Sequence, residues 1–157
     1  MKTKLIKTTM CSLLFASSLV TLAAVAMTSA TARADSDGSS CGVYTLHASY
    51  LFATHGWNIV GGVAQPKAIV EGIDFNGDGT LVSPFATVSI NGTIVRTTGT
   101  VGTYTVNPDC TGTYTATDEN GVVTHADMFI PRDGSEIDMI FTDHTVVDAF
   151  VERRVGQ

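Results

Sequence analysis

The sequence is short of positive charge. Of 157 residues only nine are Lys or Arg, against 15 Asp or Glu. Such a balance argues against a nucleic-acid partner, which needs clustered basic residues to meet phosphates. Tryptophan occurs once, proline four times and cysteine three times. No Gly-x-Ser-x-Gly elbow, phosphate-binding loop or His-Glu-x-x-His motif occurs. That removes the best-marked signatures of acyl hydrolysis, nucleotide binding and zinc proteolysis. Beyond residue 34 there is also no stretch with a helical apolar period.

The N-terminus carries three of the few cations. Lys2, Lys4 and Lys7 precede a mostly apolar run from Leu13 to Met27, and Ala32-Arg33-Ala34 follows. Basic start, apolar middle and small-residue exit are the parts of a secretory signal, so residues 1–34 read as a signal peptide cleaved after Ala34. The run is too short, and too broken by Ser17, Ser18 and Thr21, for a stable anchor. The mature chain is thus expected to be secreted or periplasmic, with no membrane anchor. It would keep five basic residues against 15 acidic ones, a net charge of −10 over 123 residues. Cys11 leaves with the signal, and Cys41 and Cys110 remain. Two cysteines in an exported chain predict one disulfide. It would close a loop of about 70 residues, for which chain entropy gives roughly 4 kcal/mol of stabilisation.

After a lead over residues 35–42, turn sequences recur at short intervals. They include Asn76-Gly-Asp-Gly79, Asn91-Gly92, Asn107-Pro-Asp109, Glu119-Asn-Gly121 and Arg132-Asp-Gly134. Between them lie segments rich in Thr, Val, Ile, Tyr and Phe. The pattern predicts one all-β domain over 43–155: an antiparallel up-and-down meander of about eight strands, closed as a barrel or folded as a β-sandwich.

Alternation assigns faces. Tyr44, Leu46, Ala48, Tyr50 and Phe52 share one side of the first strand. Tyr104 with Val106, Tyr114 with Ala116, and Ile137 with Met139 and Phe141 follow the same rule. All four tyrosines are therefore expected inside, where their hydroxyls need partners. Glu71 shares a face with Ile69, Ile73 and Phe75, so burial is expected to raise its pKa. Arg153, aligned with Val147, Ala149 and Val151, is its candidate counter-charge.

Other polar groups point less far. Asp74-x-Asn76-x-Asp78-Gly79 opens like a calcium loop, but the twelfth position is Phe85, and a hairpin turn explains it better. His125 and Asp127 lie opposite the apolar set Ala126, Met128 and Ile130 and should face outward. No metal and no cofactor is expected.

Cys41-Gly-Val-Tyr-Thr-Leu46, Phe75-Asn-Gly-Asp-Gly79, Gly102 to Thr113 with Cys110 at the bend, and Glu152-Arg-Arg154 resemble a group of small exported bacterial β-barrel proteins. The resemblance implies a barrel stapled by its two cysteines. The architecture is similar to lipocalin-like barrels and to those of allene oxide cyclases and dirigent proteins, although the lipocalin Gly-x-Trp is absent and Trp57 stands later. Three expectations follow. The barrel binds an apolar small molecule in a cavity lined by Tyr44, Tyr50, Phe52, Tyr104, Tyr114 and Phe141 with Arg153. Or it is a cofactor-independent cyclase or isomerase using Glu71 and tyrosines. Or it is a structural or surface protein whose barrel is filled by its own side chains.

Overall fold

The computed structural model describes residues 40–156, so the signal-peptide reading of residues 1–34 and most of the 35–42 lead lie outside the described residues. A 3-10 turn (Val43–Thr45) precedes ten strands. These are β1 (His47–Val60), β2 (Val63–Asn76), β3 (Thr80–Ile90), β4 (Thr93–Thr97), β5 (Thr100–Val106), β6 (Thr111–Thr117), β7 (Val123–Phe129), β8 (Glu136–Phe141), β9 (Val146–Val147) and β10 (Ala149–Arg154). Eight of them pair in the order β1-β2-β3-β5-β6-β7-β8-β10, and β10 returns to β1. Every pairing is antiparallel. The result is a closed barrel, not a sandwich. β4 pairs only with β3, and β9 only with β1.

Two features of the sequence explain the departures from a plain meander. Pro84 has no N–H to give, and β3 changes partner there: Thr80–Ser83 face β5, whereas Ala86–Ile90 face β4. Asn91 and Gly92 both adopt positive φ, 48° and 85°, the geometry of a two-residue hairpin turn joining β3 to β4. β1 and β2 have 14 residues each, twice the length of β5, β6 and β7. β1 reaches far enough to include Trp57.

One end of the barrel is packed shut. Phe75 meets Tyr50 and Tyr104 edge-on, with ring centroids 5.4 and 4.9 Å apart. Leu46, Met128 and Ile137 fill the space around them and are wholly buried. The Tyr50 hydroxyl donates to the Gly134 carbonyl at 2.6 Å. The Tyr104 hydroxyl lies 2.9 Å from the carbonyls of both Val43 and Leu46 and accepts from the Gly77 N–H. Both tyrosines thus face inward as expected, but their hydroxyls are spent on backbone that caps this end.

Three turns at the same end share one design. In Asp78-Gly-Thr80, Asp109-Cys-Thr111 and Asp133-Gly-Ser135, the aspartate Oδ1 accepts both the N–H and the hydroxyl of the residue two places on. The middle residue has positive φ each time: 93°, 70° and 59°. Cys110 therefore occupies a left-handed position that glycine takes in the other two turns. It is bonded to Cys41 with a Cα–Cα distance of 5.1 Å. The disulfide ties the 3-10 turn onto the closed end.

Candidate functional site

The other half of the barrel is open. A cavity of about 390 Å³ occupies it. Its apolar wall comes from Phe52 on β1, Ile69 and Ile73 on β2, Val88 on β3, Phe141 on β8 and Phe150 on β10. Phe52 and Phe150 stack with centroids 4.2 Å apart, and Phe141 tilts against Phe150 at 5.2 Å. At the rim the polar side chains of Asn58, Asp118, Asn120, Asp143 and Thr145 stand beside Val122, Val123 and Val146. These positions belong to strand ends and loops that all lie away from the disulfide.

Inside stand two carboxyl groups. Glu71 faces inward as its spacing with Ile69 and Ile73 requires, and it pairs across the sheet with Phe52. The register of β1 with β10, Tyr50 opposite Arg154 and Leu51 opposite Arg153, carries Glu152 to the level of Phe52 on the other side. Glu152 is fully buried. Among the described residues, neither of its carboxyl oxygens has a hydrogen-bond partner. Loss of hydration pushes Glu71 up to about 7, against a hydrogen bond from Ser83 and the charge of Lys67. Burial, reinforced by the charge of Glu71, lifts Glu152 well above the usual carboxylate range. Tyr114, buried beside them, is raised by burial and then by both carboxylates. At neutral pH Glu71 is therefore divided between its two forms, and the same burial favours the uncharged form of Glu152.

Among the described residues, Lys67 is the only cation in the cavity wall. Its Nζ lies 3.1 Å from Asp148 and 4.6 Å from the centre of the Phe141 ring. Asp148 also accepts from the Thr54 hydroxyl at 2.8 Å. Gly56 makes room for this arrangement: a Cβ there would stand 2.2 Å from the Val147 carbonyl and 2.9 Å from Asp148. The ion pair is nearly dry, so each partner depends on the other.

Of the residues expected at a site, Phe52, Glu71, Tyr114 and Phe141 meet in this cavity. Tyr50 and Tyr104 do not line it. Tyr44 is not inside at all: it lies in the 3-10 turn, 62% exposed, with its hydroxyl donating to the Ser40 carbonyl. Hydrogen bonds between Gly42 and Thr45 curl the chain there, and strand alternation begins only at His47. Arg153 is exposed and cannot be the inward partner of Glu71. The stretch from β9 through β10 buries Asp148, Phe150 and Glu152 and exposes Val147, Ala149 and Arg153. Three small or branched apolar residues outvoted one phenylalanine in the pattern, yet Phe150 has a stacking partner and Asp148 an ion-pair partner. Lys67, Asp148 and Glu152 were missed. Lys67 has the same strand parity as Glu71, and Glu152 the same as Phe150; either spacing would have found them.

His125 and Asp127 face outward, as expected. His125 hydrogen-bonds Asp143 through both its N–H (2.6 Å) and its Nδ1 (2.8 Å). The Asp74–Gly79 stretch is a hairpin turn held by Asn76, Asp78 and Thr80. Among the described residues, no group of three or more His, Cys, Asp or Glu side chains could hold a metal ion. No family model, curated protein or solved structure matches the chain, and the likeness to lipocalin-like and cyclase-like barrels rests on barrel architecture alone.

Proposed function

We propose that this is an exported binding protein that holds a small, mostly apolar molecule in the open half of its barrel. Glu152 carries the reading. A wholly buried carboxyl group faces a cavity with neither oxygen hydrogen-bonded among the described residues. Buried polar groups in folded proteins are nearly always satisfied, and a ligand's polar group would satisfy this one. Aromatic and branched walls with few polar anchors are what small-molecule sites commonly offer, and the volume falls in their range of about 300–1,000 Å³. Export is supported by the signal-like leader and by a disulfide suited to an oxidising compartment.

Titration with the neutral fluorophore N-phenyl-1-naphthylamine tests the reading. One probe should bind per native chain. Val88→Trp, which fills the cavity, should abolish binding, and Tyr104→Phe, at the closed end, should leave it unchanged. Binding that needs partial unfolding, or that ignores Val88→Trp, would overturn the proposal.

A second reading is a proton-transferring cyclase or isomerase. It is favoured by Glu71 titrating at about 7 in the company of Glu152 and Tyr114. A general acid or base works best with its pKa near the working pH. Under this reading Glu71→Gln lowers turnover by orders of magnitude while probe binding survives.

A further inference from the structure

Among the described residues, the cavity interior below the rim presents the carboxyl groups of Glu71 and Glu152 and one cation, and that cation is already committed. Lys67 shows how this interior receives an ammonium group: a carboxylate at 3.1 Å and an aromatic face at 4.6 Å. Glu152 repeats two of those three parts. It stands two residues beyond Phe150 on one face of β10, level with Phe52, and these two rings stack against each other. Glu71 lies across Phe52 on the neighbouring strand. Among the described residues no ammonium forms an ion pair with either carboxyl group of this second set; Lys67, whose charge reaches Glu71, is bonded to Asp148. The rim adds Asp118 and Asp143, and the protein beyond residue 34 has a net charge of −10. Such a surface draws cations toward the mouth and repels anions.

We propose that the cavity selects a primary amine with an alkyl or aryl tail, its ammonium bound between Glu152 and Glu71 and its tail against Phe52, Phe141 and Phe150. The inference rests on the binding reading above and narrows it to one ligand class. A fatty acid is the opposite case. Its carboxylate would enter beside two acids, with Lys67 already neutralised by Asp148.

Proton balance makes the proposal specific. The groups that bear on Glu152 are Glu71 on β2, Tyr50 on β1 and Tyr114 on β6, and the buried charges nearest in the fold, Lys67 on β2 and Asp148 next to β10, are paired with each other. β3 faces the interior with Ser83, Ala86 and Val88, β5 with Tyr104, and β7 and β8 with Ala126, Met128, Ile137 and Met139. Of these only Tyr104 titrates, and its hydroxyl is held by backbone at the closed end. An ammonium between Glu71 and Glu152 favours their carboxylate forms, and a proton displaced from Glu71, which titrates at about 7, leaves to solvent. Amine affinity should therefore rise with pH until the amine itself deprotonates near pH 10 or so. A neutral alcohol gains nothing from that ionisation.

Octylamine, 1-octanol and octanoate, matched in tail and different in head, are compared by isothermal titration calorimetry on the disulfide-bonded protein. At pH 8 octylamine should bind roughly tenfold or more tighter than 1-octanol, as a charged hydrogen bond to a carboxylate implies. Octanoate should bind weakest. The amine's advantage should grow from pH 6 to pH 8, with proton release visible as a dependence of heat on buffer ionisation enthalpy. Glu152→Gln should erase most of that advantage and leave 1-octanol binding in place. If 1-octanol binds as tightly as octylamine, or octanoate binds best, the amine inference is wrong and the binding reading stands. If none of the three binds, the binding reading fails and takes the inference with it. Should Glu152→Gln not fold, the pH series and proton release of the parent decide alone.

Discussion

Glu71→Gln should change how stability depends on pH more than it changes stability itself. Glu71 titrates at about 7 when folded, against an ordinary value of 4.5. The folded state therefore holds its proton more tightly than the unfolded chain does. The stability this confers is fully present below pH 4.5 or so and is lost as pH rises through about 7. A displacement of this size is worth about 3 kcal/mol, at about 1.4 kcal/mol per pH unit. Glutamine keeps the shape and removes the titration. Urea unfolding of parent and variant, disulfide intact, should show the gap in ΔG moving in the variant's favour by about 2–3 kcal/mol between pH 5 and pH 8. Relief of Glu152, which feels the Glu71 charge, acts in the same direction. Parallel stability curves would refute the reasoning, because they would mean that Glu71 reaches water at the rim.

The ion pair and the disulfide offer two further checks. Lys67→Met strands Asp148 as a buried lone carboxylate and should cost about 3–5 kcal/mol by urea unfolding; adding Asp148→Asn should recover most of that loss, and a double variant no better than the single would refute the pairing. Reduction of Cys41–Cys110 should lower stability by up to about 4 kcal/mol, whereas two reactive thiols in unfolded, unreduced protein would remove the staple altogether.

Much of the fold was legible in order along the chain. Turn residues recur where strands end, and the β-branched and aromatic segments between them became strands. Asn91-Gly92 marked its hairpin because both residues tolerate positive φ. The inward faces of β1, β2, β5 and β6 followed from period-two alternation, and Glu71 was placed by the same count. That rule works where a strand is regular and one face is buried. It failed at both ends. Tyr44 sits in a turn that breaks the phase, and the short β9 and β10 set theirs by contacts made elsewhere in the barrel.

What the chain order by itself determined is therefore the all-β class, the turns and the parity of the regular strands, since these depend on residues a few positions apart. Closure determined the rest. Only when β10 returns to β1 do Glu152 and Glu71 come to flank Phe52, and only then does Asp148 reach Lys67 across 81 positions of sequence. A carboxyl group's burial and pKa are set by neighbours from several strands at once, and a sequence read along one strand does not contain them.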